Sequence, residues 1–108
     1  MGFLINFVKT PVMEYEDFMK IRESGEIPDD LPLLLQSLLL DAAGDWDSAH
    51  RIAQDEFTKE GSLIHAYLHR KEGDLGNASY WYSLAGRKMP DVGLEEEWEL
   101  ISRELLKS

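Results

Sequence analysis

Residues 62–90 constrain the fold more than any other part of the chain, because their apolar spacing indicates two short helices joined by a tight turn. In the first half, Leu63, Ala66 and Arg70 are separated by three or four positions and therefore share one helix face. Gly73 is expected to end this helix, since glycine readily adopts the left-handed conformation found at helix ends. The stretch is therefore predicted to form a helical hairpin.

The second helix of this hairpin is predicted over residues 78–85, with Asp74 and Asn77 as candidate N-caps. Ser62 is expected to cap the first helix, because its hydroxyl can accept a hydrogen bond from a free backbone N–H of the first turn. Gly61 is expected to break the helix that precedes it. The apolar stripe of the second helix is Ala78, Trp81, Tyr82 and Ala85.

Helical periodicity also dominates the rest of the chain, so we predict a single all-α domain of stacked helical hairpins with five or six helices. Residues 1–30 are expected to form an N-terminal arm and a short helix, the helix over residues 15–23. A short strand in residues 1–10 is left open. Two helical hairpins are expected in residues 31–90, and a C-terminal capping helix in residues 93–107.

Residues 33–40 are leucine-rich nearly all round the helix, which indicates burial on more than one side and a place at the centre of the core. Asp30 is the expected cap of this helix. The next helix is expected to begin at Asp45 or Asp47, and its apolar set is expected to extend to Phe57.

Two segments share the pattern G-D-apolar-x-x-A, one beginning at Gly44 and the other at Gly73. Each follows one predicted helix and opens another, as the turn of a helical hairpin does. Hairpins that repeat at intervals of 20–50 residues are typical of stacked solenoid proteins. The chain is therefore predicted to contain an internal helical repeat.

The second unit resembles a tetratricopeptide (TPR) repeat, whose period is 34 residues. His65 and His69 depart from that family's pattern, because a leucine and a tyrosine usually stand there. The string HAYLHRKEGD…NASYWY…AG also resembles a set of small bacterial proteins of unknown role. The residues that match the TPR pattern are Ala66, Gly73, Asp74, Ala78, Tyr82, Ala85 and Pro90, with Gly44, Asp45 and Ala49 in the first unit.

The TPR resemblance implies a protein- or peptide-interaction module with a concave groove, which needs no cofactor. Residues 62–90 carry four basic and two acidic side chains in a chain of net charge −10, so the expected partner is acidic. Arg70 is the expected centre of the anion-binding surface, because its planar guanidinium donates paired hydrogen bonds to carboxylates. An internal pair of Arg70 with Asp74 or Glu72 is the alternative. The residues expected to form this surface are Tyr67, Arg70, Lys71 and Arg87.

The composition argues against several functions. A net charge of −10 disfavours general binding to nucleic acid or to anionic membranes, because phosphate binding depends on cationic surface. No apolar run approaches the ~20 residues that span a bilayer. The chain has no cysteine, so it has no disulfide and no thiolate metal site, which fits a cytoplasmic location. Self-association is left open.

The three histidines of the chain form a second candidate site. His65 and His69 are four residues apart on one helix and share a face. With the preceding turn centred between residues 59 and 60, His50 is expected level with His69, and His65 one turn along. Three imidazoles can bind zinc or another divalent transition metal. Candidate carboxylate ligands are Asp41, Asp45 and Asp74.

A small metal-binding protein or enzyme that uses this cluster is therefore the alternative function. The structural alternative is that the imidazoles are polar core groups bonded to backbone or to one another. No H-E-x-x-H pair occurs, so no catalytic residue is assigned, and whether the chain is an enzyme stays open.

Overall fold

The computed structural model describes residues 13–107, and this part of the chain contains six α-helices and no strand. The expected all-α fold of helical hairpins is thereby confirmed. The strand considered for residues 1–10 lies outside the described residues. The helices are α1 Tyr15–Ser24, α2 Leu33–Ala42, α3 Trp46–Asp55, α4 Lys59–Lys71, α5 Leu75–Leu84 and α6 Leu94–Leu106.

Helix α4 lies deepest in the fold. It packs against α2, α3, α5 and α6, and every residue from 63 to 69 is buried. Helix α2, which the leucine pattern places at the centre, is also buried on more than one side, although Leu33 remains 57% exposed. The core is therefore shared between α2 and α4, and polar residues of α4 must find partners inside the protein.

The caps of α3 and α5 follow the repeated G-D pattern. Asp45 accepts a hydrogen bond from the backbone N–H of Ser48 at 3.1 Å, and Asp74 accepts one from that of Asn77 at 3.3 Å. Helix α5 therefore begins at Leu75, three residues before the predicted start. The expectation that Asp30 caps α2 is wrong, because Pro32 occupies the N-cap position and no side chain caps that helix.

The turn between α3 and α4 lies earlier than predicted. Helix α3 ends at Asp55, and Thr58 caps α4 by accepting a hydrogen bond from the backbone N–H of Gly61 at 3.0 Å. Ser62 is therefore not the cap. Phe57, expected in the apolar set of α3, lies in the turn and is 94% exposed.

Gly61 does not break a helix but lies within the first turn of α4. A Cβ atom added at this position would lie 2.2 Å from the carbonyl oxygen of Glu56. Glycine is therefore required by the close approach of the α3–α4 turn to α4.

Helix α6 closes the fold over α1 and α2. Trp98 is buried, its ring stacks on Phe18 at a centroid distance of 5.7 Å, and its indole N–H donates to the carbonyl of Leu38 at 2.9 Å. The guanidinium of Arg22 lies over the Trp98 ring at 4.3 Å and pairs with Glu95. Within residues 13–107, none of the helices has the length and hydrophobicity that a membrane span requires.

Replacing Gly61 tests the close approach at the α3–α4 turn. We expect Gly61→Ala to lower the free energy of unfolding by about 1–3 kcal/mol, since the backbone must shift to admit the methyl group. Gly76→Ala in α5 is the matched control, because a Cβ atom there meets nothing within 4 Å. The control should leave stability unchanged or raise it by up to about 1 kcal/mol. Equal effects of the two changes in urea denaturation would contradict this account.

Candidate metal centre

The three histidines come together at the contact between α3 and α4. One possible ligand atom from each of His50, His65 and His69 lies within 4.8 Å of the others. The ring centroids are 4.6 Å apart for His50 and His65, 5.0 Å for His50 and His69, and 4.8 Å for His65 and His69. His65 and His69 are buried, and His50 is half-buried. The expected clustering of the three imidazoles is therefore present.

The register of the cluster differs from the expectation. Because the turn lies at residues 56–58 instead of 59–60, His50 is level with His65, and His69 lies about one turn further along. The cluster forms in either register, since His65 and His69 share one face of α4 and both can reach an imidazole on the facing helix.

Two tryptophans hold the cluster from either side. Trp46 stacks on His50 at a centroid distance of 4.7 Å, and Trp81 stacks on His65 at 3.9 Å. The indole N–H of Trp46 donates to the carbonyl of Leu68 at 2.9 Å, which fixes this ring against α4. Sequence reasoning did not assign these tryptophans to the site, although the spacing of four between Trp46 and His50 is a signal for the first contact.

The imidazoles have unsatisfied nitrogens. Within residues 13–107, the buried side-chain nitrogen and oxygen atoms without a hydrogen-bond partner are Nε2 of His50, Nδ1 of His65 and Nδ1 of His69. The structural alternative expected the imidazoles to bond to the backbone or to one another. These three atoms do neither. Leaving a polar group buried and unpaired costs about 1–3 kcal/mol.

The surroundings of His50 and His65 favour the neutral form of these two imidazoles. Burial lowers the pKa of His65 to about 4, and the neighbouring His50 and His69 act in the same direction. Burial and then His69 also lower the pKa of His50. A neutral imidazole is the form that binds metal ions, so the site needs no proton release from His65 near neutral pH.

Carboxylates at the end of α4 extend the cluster. Oε1 of Glu72 lies 3.5 Å from Nδ1 of His69. One possible ligand atom from each of His69, Glu72 and Asp74 lies within 4.8 Å of the others. Of the carboxylates expected from the sequence, Asp74 is thus near the cluster, whereas Asp45 caps α3. Glu72 was not among the expected ligands, although it follows His69 by three residues on the same helix.

Two residues of the expected anion-binding surface bond to Asp41, a buried residue of α2. The hydroxyl of Tyr67 donates to Oδ2 of Asp41 at 3.0 Å, and the ammonium of Lys71 donates to Oδ1 at 2.8 Å. Burial, followed by the charge of Asp41, raises the pKa of Tyr67, so the phenol keeps its proton and donates it. Asp41 therefore bonds to Tyr67 and Lys71 and not to the histidines.

Arg70 is also paired internally, with a partner other than Asp74 or Glu72. Its guanidinium donates to Oε1 of Glu97 at 2.6 Å and to the carbonyl of Val92. Glu97 is buried, and its other carboxylate oxygen accepts from the hydroxyl of Tyr82 at 2.6 Å. Sequence reasoning missed Glu97, because it stands among other glutamates in the first turn of α6 and its charge alone does not mark it as buried.

Arg87, the fourth residue of the expected anion-binding surface, pairs with Glu104 on α6. All four residues of that surface thus contact acidic groups of the chain itself. An acidic partner would have to displace these groups, so the surface stays a prediction.

Comparisons of the sequence and structure with protein-family models, curated proteins and solved structures found no match. The TPR resemblance therefore remains an expectation from the sequence motif. The interpretation of the site accordingly depends on its own geometry and chemistry.

Removing Arg70 tests whether its pair with Glu97 is structural. We expect Arg70→Ala to lower the free energy of unfolding by about 3–5 kcal/mol, because it leaves the buried Glu97 without its cation. Lys20→Ala is the control, since Lys20 forms an exposed pair with Asp17 and should contribute less than about 1 kcal/mol. A loss below about 0.5 kcal/mol for Arg70→Ala would contradict a structural role for the pair and would leave Arg70 available to bind a partner.

The pKa of His65 predicts how stability changes with pH in protein kept metal-free with a chelator. Between an unfolded pKa of 6.5 and a folded pKa of about 4, the unfolded chain binds a proton that the folded protein does not. The free energy of unfolding should therefore fall as pH is lowered from about 7 to about 5, by roughly 2 kcal/mol from His65. His65→Phe should remove this part of the decrease in urea titrations. Parallel pH profiles for the two proteins would contradict the assignment.

Proposed function

We propose that this protein binds a divalent transition-metal ion, with zinc as the best fit, through His50, His65 and His69. The observation that carries the proposal is that three imidazoles from two helices converge, and that each of them also has a buried nitrogen without a hydrogen-bond partner. Each of these residues supplies a donor type that zinc prefers, and three imidazoles are an established zinc ligand set.

The dimensions of the cluster support this proposal. Zinc–nitrogen bonds measure about 2.0–2.1 Å, so the ligand atoms of a tetrahedral ion lie about 3.4 Å apart. The three histidine atoms lie within 4.8 Å of one another, so a closure of at most about 1.4 Å completes the set. His50 is half-buried, whereas His65 and His69 are buried, so His50 is the least enclosed of the three side chains.

The energetics also favour an ion. The three buried nitrogens lose their bonds to water on folding and gain none within the protein. Metal coordination would satisfy all three at once and would link α3 to α4 directly. Since the unfolded chain lacks this arrangement, binding should stabilise the folded state.

Recognition of an acidic protein or peptide is the alternative function. We rank it second, because the cations expected to bind the partner already contact carboxylates of the chain itself. Arg70 and Lys71 would have to leave Glu97 and Asp41, which are both buried. Metal binding requires no such displacement, and for this reason we place it first.

Metal titration of protein purified without a histidine tag tests the proposed function. After treatment with a chelator, zinc should bind with a stoichiometry of one, measured by calorimetry. At a free zinc concentration about 100 times Kd, stability should rise by about 2.7 kcal/mol, which corresponds to an increase in Tm of roughly 10 °C or more.

Variants locate the binding site. His50→Gln, His65→Gln and His69→Gln should each weaken zinc binding at least tenfold, a loss of about 1.4 kcal/mol or more. Glu60→Gln is the control, because Glu60 is an exposed carboxylate in the first turn of α4. If zinc, cobalt, nickel, manganese and iron(II) neither bind the wild-type protein nor raise its Tm, the proposal is wrong.

A further inference from the structure

We propose that Glu72 is the fourth ligand of this ion, so that three imidazoles and one carboxylate form a closed structural site. This inference depends on the proposed function, since it concerns the same ion. It goes beyond that function by assigning the open coordination position to a residue of the chain and by giving the ion a structural role.

The position of Glu72 supports the assignment. It is the C-cap residue of α4, and its Oε1 lies 3.5 Å from Nδ1 of His69, a nitrogen without a hydrogen-bond partner. One possible ligand atom of Glu72 also lies within 4.8 Å of one from His69. Glu72 therefore lies beside His69, which belongs to the histidine cluster, at the C-terminal end of α4.

The other nearby carboxylates have different roles. Asp74 accepts hydrogen bonds from both the backbone N–H and the side-chain amide of Asn77, which hold it at the start of α5. Asp41 holds Tyr67 and Lys71. Glu72 has a long side chain that is partly exposed, so it can turn towards the ion without breaking a cap or a buried pair.

Charge favours a carboxylate in the fourth position. Three neutral imidazoles leave two positive charges on the ion in a largely buried site, and burying a charge without compensation is costly. One carboxylate halves the net charge. Zinc accepts such an oxygen ligand at about 2.0–2.2 Å.

A structural role fits the surroundings of the cluster. Structural zinc sites have four protein ligands, whereas catalytic sites keep a position open for water or substrate. A groove of about 460 Å³ lies beside the start of α2, and none of the three histidines lines it. With Glu72 as a ligand, the ion would tie α3 both to the middle of α4 and to its C-terminal end.

Substitution of Glu72 tests the inference, with Asp74→Asn as the matched control. Asparagine is a good N-cap, so this control removes the neighbouring charge and keeps α5 capped. We expect Glu72→Gln to weaken zinc binding by about 10–100-fold and Asp74→Asn to leave it within about threefold, measured by competition with a chromophoric chelator.

Affinity alone does not separate a ligand from a carboxylate that only orients His69, so a second variant is needed. The chain has no cysteine, and Glu72→Cys therefore introduces a single thiol. If position 72 reaches the ion, the cobalt(II) complex of this variant should show a thiolate-to-cobalt charge-transfer band in the near ultraviolet. Ala43→Cys, an exposed position beyond α2, should show no such band.

The outcomes separate the two proposals. Absence of the charge-transfer band, together with wild-type zinc affinity in Glu72→Gln, would overturn the role of Glu72 and leave the histidine site intact. Weakened binding in Glu72→Gln without the band in Glu72→Cys would also overturn it, because Glu72 would then only orient His69. A wild-type protein that binds no metal would overturn the proposed function itself.

Discussion

The enclosure of α4 by four other helices is the constraint on which the rest of the structure depends. A helix buried over residues 63–69 cannot turn its polar side chains to water, so each must find a partner in the fold. Tyr67 bonds to Asp41 of α2, and Arg70 bonds to Glu97 of α6. Breaking either contact would leave a buried carboxylate or phenol unpaired, which costs more than the net gain from making it. These pairs therefore specify which faces of α2 and α6 meet α4.

The histidines present the same problem on another part of α4. His65 and His69 face α3, where the available partner is the imidazole of His50 and no carboxylate comparable to Asp41 or Glu97 is buried. Neutral imidazoles that stack on tryptophans keep favourable ring contacts but leave nitrogens unpaired. A metal ion would do for α3 what the two buried carboxylates do for α2 and α6. It would satisfy the polar groups of α4 and fix the facing helix at the same time.

Much of this fold follows from local sequence, because helix periodicity and the two G-D caps act within a few residues. The α3–α4 turn does not, since glycine inside a helix is ordinarily unfavourable and only the approach of the Glu56 carbonyl explains Gly61. The histidine cluster was predictable despite the wrong register, because two histidines one turn apart give His50 a partner in either alignment. Glu97 was harder to find, because its charge alone does not distinguish it from the other glutamates at the start of α6. Its spacing of three from Leu94 and four from Ile101 does place it on the buried face.

The negative charge of the chain also bears on the proposed metal site, because it attracts cations. A net charge of −10 disfavours phosphate-bearing partners, but it raises the local concentration of cations and speeds their association. Two of the cations of residues 62–90, Arg70 and Lys71, are paired with buried carboxylates, so they oppose this attraction less than their number suggests. The same acidic surface that argues against nucleic acid therefore favours capture of a divalent ion. For the proposed ion, nitrogen ligands would favour a transition metal over calcium or magnesium, which prefer oxygen ligands.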